Sequence, residues 1–176
     1  MKSLVVARYK EDVSWLSKVS PEWTVKVYDK GAGDLPNFPG REAHTYLHHI
    51  VMNLYQQGIG DETAFVQGNP FDHCPSLLSD LESPTVRVYG NHIEDCDPDG
   101  MPRIHGMHLN DFCRALDLPE LPRFKFVAGA QFRITCEQLL HHSIKDYAGL
   151  LFLCKTEPLS GYIMERLWNS IFELGL

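Results

Sequence analysis

Short runs of β-branched and aromatic residues alternate along the chain with segments of helical period. The runs fall at residues 3–7 (SLVVA), 24–28 (TVKVY), 63–67 (TAFVQ), 85–89 (TVRVY) and 125–128 (KFVA), and each reads as a strand. Their alternation with helices predicts an α/β fold with a mainly parallel central sheet flanked by helices. The clearest helical period covers residues 41–55, REAHTYLHHIVMNLY, where Ala43, Leu47, Ile50, Val51 and Leu54 form one apolar stripe. That stripe is assigned to the core, while Glu42, Tyr46 and His49 follow a second line beside it. Two further helices are marked by their caps: Thr135 and Gln138 have capping-box spacing, and Ser143 with Asp146 starts the next helix. A last helix is expected over about residues 160–174, with Ile163, Leu167, Ile171 and Leu174 on one face and Glu165, Trp168 and Asn169 off it. Residues 90–106, GNHIEDCDPDGMPRIHG, have no period and dense Gly, Pro and Asp punctuation, so they predict a long loop inside one domain spanning residues 1–176.

Composition narrows this picture in three ways. A chain of 176 residues, 44% hydrophobic, is long enough for one well-buried core. No run approaches the roughly 18 apolar residues of a membrane span, and the opening MKSLVVARYKED turns charged too early for a secretory signal, which points to a cytoplasmic or otherwise intracellular protein. The five cysteines are scattered without a Cys-x-x-Cys pair and predict free, mostly buried thiols. A formal charge of −7 opposes strong nonspecific nucleic-acid binding.

Candidate chemistry centres on AFVQGNPFDH, residues 64–73, a strand that ends in a crowd of polar groups. A parallel strand delivers such groups to the carboxyl edge of the sheet, where α/β proteins bind ligands. Asp72 and His73 could ligate a divalent ion, while Gln67 and Asn69 could orient a hydroxyl or phosphate; a plain turn with Asp72 as a helix cap is the alternative. Gly40-Arg41-Glu42 at a helix start suits an anion, or is an ordinary glycine turn. Asp95, Asp97 and Asp99 copy half of a calcium loop but lack its closing Glu, which leaves an acidic solvated loop or an Mg²⁺/Mn²⁺ pair. His44, His48 and His49 lack the Glu of a zinc-protease helix. Glu165 with Arg166 is either a general base or a structural pair.

Six blocks, LVVARYKEDVSWL (4–16), VYDKG (27–31), GREAHTYLHHIV (40–51), FVQGNPFDH (65–73), FVAGAQFRIT (126–135) and GYIMERLW (161–168), together resemble an uncharacterised family of domains of unknown function. That family in turn looks like the A-type nucleotide-sugar glycosyltransferases. The resemblance implies a compact fold of that type and an enzyme that transfers a sugar from a nucleotide-activated donor to a hydroxyl acceptor of unknown class. It places Ala7, Arg8, Tyr9, Arg41, Gln67 and Asn69 at the donor and Gly129, Ala130, Gln131 and Trp168 at the acceptor. It also implies a divalent metal, Mn or Mg, at Asp72 and His73, and Glu165 as the catalytic base. Those enzymes usually carry Asp-x-Asp where this chain has Gln67-Gly68-Asn69. A non-catalytic module binding a glycan, nucleotide or protein, and a metal-dependent hydrolase built on His73 and residues 95–99, are the alternatives.

Overall fold

The computed structural model describes residues 1–56, 60–115 and 117–175. Strand β1 (Lys2–Arg8) is the centre of the main sheet. It pairs in parallel with β2 (Trp23–Asp29) on one side and with β3 (Glu62–Gln67) on the other. The last strand, β6 (Phe132–Thr135), runs antiparallel to β3, so the order is β2-β1-β3-β6 and the sheet is mixed, with two of its three pairings parallel. The alternation expected of strands covered on both faces is seen directly. Val5 and Phe65 face one core, whereas Leu4, Val6, Ala64 and Val66 face the other.

Helix α1 (Arg41–Gln56) covers the first face, with α5 (Ile144–Thr156) and α6 (Ser160–Phe172) packed against it. Of its predicted stripe, Ala43, Leu47 and Ile50 are fully buried and Val51 and Leu54 are partly so. Tyr46, assigned to the neighbouring line, is also fully buried, packed between Phe65, Phe132 and Trp168. The apolar face of α1 is therefore wider than its aliphatic residues indicate. The second face is covered by a 3-10 turn at Ser14–Lys18 and by α2 (Leu77–Glu82), which bring Trp15, Leu77 and Leu81 onto it.

Both capping boxes form: Thr135 starts α4 (Cys136–Leu140) and Ser143 starts α5. Residues 85–89 are not a strand; they make a single bridge, Val88 to Phe132, beside the backbone bonds Arg133 N–H to Arg87 and Tyr89 N–H to Gln131. A buried guanidinium explains the departure. Arg133, 1% exposed, donates to the carbonyls of Leu81, Ser83 and Val86, and so gathers this segment around one side chain instead of along a strand. The run at 125–128 does extend, as β5 (Phe124–Val127), but outside the main sheet. It pairs antiparallel with β4 (Ile93–Cys96), which lies within the 90–106 stretch. The five cysteines are free and four are buried. Helix α3 (Leu109–Ala115) precedes β5. Among the described residues no helix is long and apolar enough to cross a membrane.

Candidate functional site

The carboxyl ends of β1 and β3 open beside the amino end of α1, and a cavity of about 420 Å³ lies between them. It is lined by Ala7, Arg8 and Tyr9 from the end of β1, by Gln67, Asn69 and Asp72 beyond β3, and by Arg41 at the start of α1. These are the six predicted donor residues and one of the two predicted metal ligands. Parallel strands and a helix amino terminus converge here for a geometric reason: both crossover connections leave the sheet from this edge.

Local packing fixes each wall. Glu11 closes back on its own strand end, its carboxylate accepting from the amides of Tyr9 at 2.6 Å and Lys10 at 3.1 Å. Burial pushes that carboxyl up, but these amide bonds and the Arg8 charge outweigh it and hold Glu11 below its ordinary range. Asp12 organises the turn by accepting from the amide and hydroxyl of Ser14, which sets Trp15 to donate its indole N–H to the Gly68 carbonyl at 2.9 Å. Gly68 lets the two segments approach closely: a Cβ there would lie 2.7 Å from the Glu11 carboxylate and would make that side chain shift. The Glu-Asp-x-x-Trp turn thus clamps the loop after β3 onto the end of β1.

Cations and acids share the cavity. Arg8 pairs with Asp29 and donates to the Glu11 carbonyl at 2.8 Å. Lys30, just beyond β2, reaches the Arg41 carbonyl, and burial pulls its ammonium down to about 8 despite the opposing charge of Glu42. Arg41 adopts a left-handed backbone, φ 50°, as it enters the helix, and its guanidinium lies 5.3 Å from the centre of the Tyr162 ring. The helix start is held by the Gly40 N–H bond to the Cys154 carbonyl at 2.8 Å.

A second cavity, about 400 Å³, shares Arg41 and Gln67 with the first and runs toward α6 and β5. It is lined by His73, Glu94, Arg103, Phe126, Tyr162 and Glu165 among others. Glu165 Oε1 accepts from the Gly129 amide at 2.7 Å, and Oε2 lies 3.4 Å from the buried Arg166 guanidinium. Gly129 has φ 106° and sits against the His73 ring, where a Cβ would come within 2.6 Å of Cγ. Glu94 is held by Arg103 at 2.6 Å and His92 at 3.1 Å.

Other predicted residues sit differently. Gln131 is 2% exposed and braces the end of β3: its Oε1 accepts from the Gln67 amide at 3.3 Å, and its Nε2 donates to the Pro70 carbonyl at 3.1 Å. Trp168 is also 2% exposed, stacked on Phe172 within the aromatic core. Ala130 is buried at φ 49°. Neither cavity is lined by these three. Asp72 and His73 face different cavities; Asp72 accepts from the Asn69 side-chain amide at 2.8 Å, while His73 packs on Gly129. Among the described residues no three His, Cys, Asp or Glu side chains converge as a metal group. His49 bonds Tyr28 at 3.0 Å and His44 packs edge-on against Phe38, and burial pulls both imidazoles down to about 4. Sequence reasoning gave no role to Glu11 or Lys30 and took Glu42 only as part of the Gly40-Arg41-Glu42 helix start; the place of Glu11 and Lys30 in the first cavity depends on how the strand ends meet.

Fold and site together define an α/β protein with a polar cavity at the carboxyl edge of its sheet. Residues 4–89 match the model of a family described as "Protein of unknown function (DUF3431)". The resemblance to an uncharacterised family is therefore borne out over those residues, and every residue lining the first cavity falls within them. The blocks at 126–135 and 161–168, with Glu165, lie beyond the match. No curated protein and no solved structure matches the chain.

Proposed function

We propose that the chain is a glycosyltransferase-like enzyme of the A type, acting inside the cell on a nucleotide-activated sugar and a hydroxyl acceptor. The reading is supported above all by two cavities that meet at Arg41 and Gln67, the first carrying Arg8, Lys30 and Arg41, the second carrying an oriented carboxylate at Glu165. In this reading the diphosphate lies at the amino end of α1, where the helix dipole favours negative charge and Arg41 and Lys30 line the cavity. The acceptor enters the second cavity. Its hydroxyl oxygen forms the new bond to the sugar's anomeric carbon as the bond from that carbon to the phosphate oxygen breaks. Glu165 takes the hydroxyl proton, and Arg41 with Lys30 neutralises the departing diphosphate.

The divalent ion implied by the resemblance does not fit Asp72 and His73 as a pair, because they face different cavities; the guanidinium and ammonium groups carry the charge stabilisation instead. That same divergence favours a second reading, a binding module that holds the nucleotide sugar without transferring it. A thermal-shift and turnover panel of UDP-, GDP- and CMP-sugars, with and without Mn²⁺, tests both. Stabilisation by a sugar nucleotide, lost in Arg41→Ala, with slow hydrolysis or transfer, is expected. Stabilisation without any turnover selects the binding module, and neither response from any sugar nucleotide defeats the proposal.

A further inference from the structure

Glu42 is a group in the first cavity that phosphate recognition does not explain. Its side chain is 10% exposed, yet it lines the cavity beside Arg41 and Lys30. Among the described residues its ion-pair partner is the Arg41 guanidinium, 3.5 Å from Oε2, and its own amide is a hydrogen-bond donor to it. One turn along α1, the Tyr46 hydroxyl is fully buried and has no hydrogen-bond partner among the described residues. A carboxylate set among the cations of an anion site opposes a bare phosphate, and leaving it short of donors costs free energy. A neighbouring hydroxyl reverses both effects, because it can donate to a carboxylate or accept from a carboxylic acid.

The charged and titratable groups that act on Glu42 come from four segments: Arg41 from the helix start, Lys30 from the loop after β2, Glu165 from α6, and Tyr46 from the next turn of α1. Burial is the largest influence and pushes the Glu42 carboxyl up; Glu165 adds to this and Arg41 and Lys30 oppose it.

We infer that Glu42 is a ligand-binding residue that makes the first cavity prefer a phosphate bearing a hydroxyl-rich sugar ring over a phosphate alone. This rests on the proposed function, since it takes the first cavity as the site of the activated sugar. Glu42 hydrogen-bonds a ring hydroxyl next to the diphosphate, and a glutamine at the same position, which also donates and accepts, keeps most of that contact.

Calorimetric titration of the wild-type chain, Glu42→Ala and Glu42→Gln with UDP-glucose, GDP-mannose and inorganic pyrophosphate tests the assignment. Loss of one ligand hydrogen bond predicts about tenfold weaker sugar-nucleotide binding in Glu42→Ala, unchanged or tighter pyrophosphate binding, and a change within about threefold in Glu42→Gln. Equal weakening of pyrophosphate and sugar nucleotide in Glu42→Ala would make the residue structural and overturn the inference. Unchanged sugar-nucleotide binding in Glu42→Ala overturns it while leaving the proposed function standing. If neither sugar nucleotide binds the wild-type chain, the inference and the proposed function fall together.

Discussion

The Gly129 amide donates to Glu165 and its Cα packs on His73, two side chains that line the second cavity, so adding one methyl group there measures how tightly the site is built. Its φ of 106° lies where an L side chain is strained, and the new Cβ would meet His73 Cγ at 2.6 Å, Cβ at 2.7 Å and Cδ2 at 3.0 Å. Backbone strain of this kind costs about 1–2 kcal/mol, and overpacking adds about 1–3 kcal/mol. Gly129→Ala should therefore lower unfolding stability by about 2–5 kcal/mol, measured by urea denaturation. His73→Gly removes all three clashing atoms. In a double-mutant cycle it should recover the overpacking part, about 1–3 kcal/mol, and leave the backbone part. A Gly129→Ala effect below about 1 kcal/mol with no coupling to residue 73 would refute the packing of Gly129 on His73.

Three further outcomes are expected. Arg133→Met should cost about 3 kcal/mol or more in the same denaturation assay, because three carbonyls lose a buried donor. The Lys30 ammonium is pulled down to about 8, so its charge disappears as pH rises through that value; pyrophosphate affinity should fall across the same range more steeply in the wild-type chain than in Lys30→Met, as read by titration calorimetry. Once a donor and acceptor are in hand, Glu165→Gln should lower turnover by about 100-fold or more while donor affinity stays within about threefold.

The parts of the fold that were legible in the sequence are those set by local chemistry. Strand alternation at residues 3–7, 24–28 and 63–67, the stripe of α1 and the two capping boxes depend on neighbours within a few positions, and all formed. The exceptions depend on distant partners. The β-rich run at 85–89 has strand composition, but the Arg133 guanidinium, nearly fifty residues later, takes its neighbouring carbonyls. Residues 125–128 extend as read but join β4, since strand composition does not say which sheet a strand enters. In the site, Gln67 and Asn69 are legible from a strand end and Arg41 from a helix start, whereas Ala7 to Tyr9 come from the family resemblance, and all six line the cavity. Trp168 shows the opposite case: it lies off the aliphatic line of α6 but stacks on Phe172 one turn later, so its large ring is core. Lys30 joins the cavity only through tertiary geometry, which no spacing reports.

The central claim is that the first cavity holds the diphosphate of an activated sugar, and a crystal soaked with UDP addresses it most directly. The account predicts diphosphate density at the amino end of α1, within reach of Arg41 and Lys30, with the nucleoside extending along the β1 end past Arg8 and Tyr9. A nucleotide bound elsewhere, or no bound nucleotide at a concentration that saturates calorimetric binding, would contradict it.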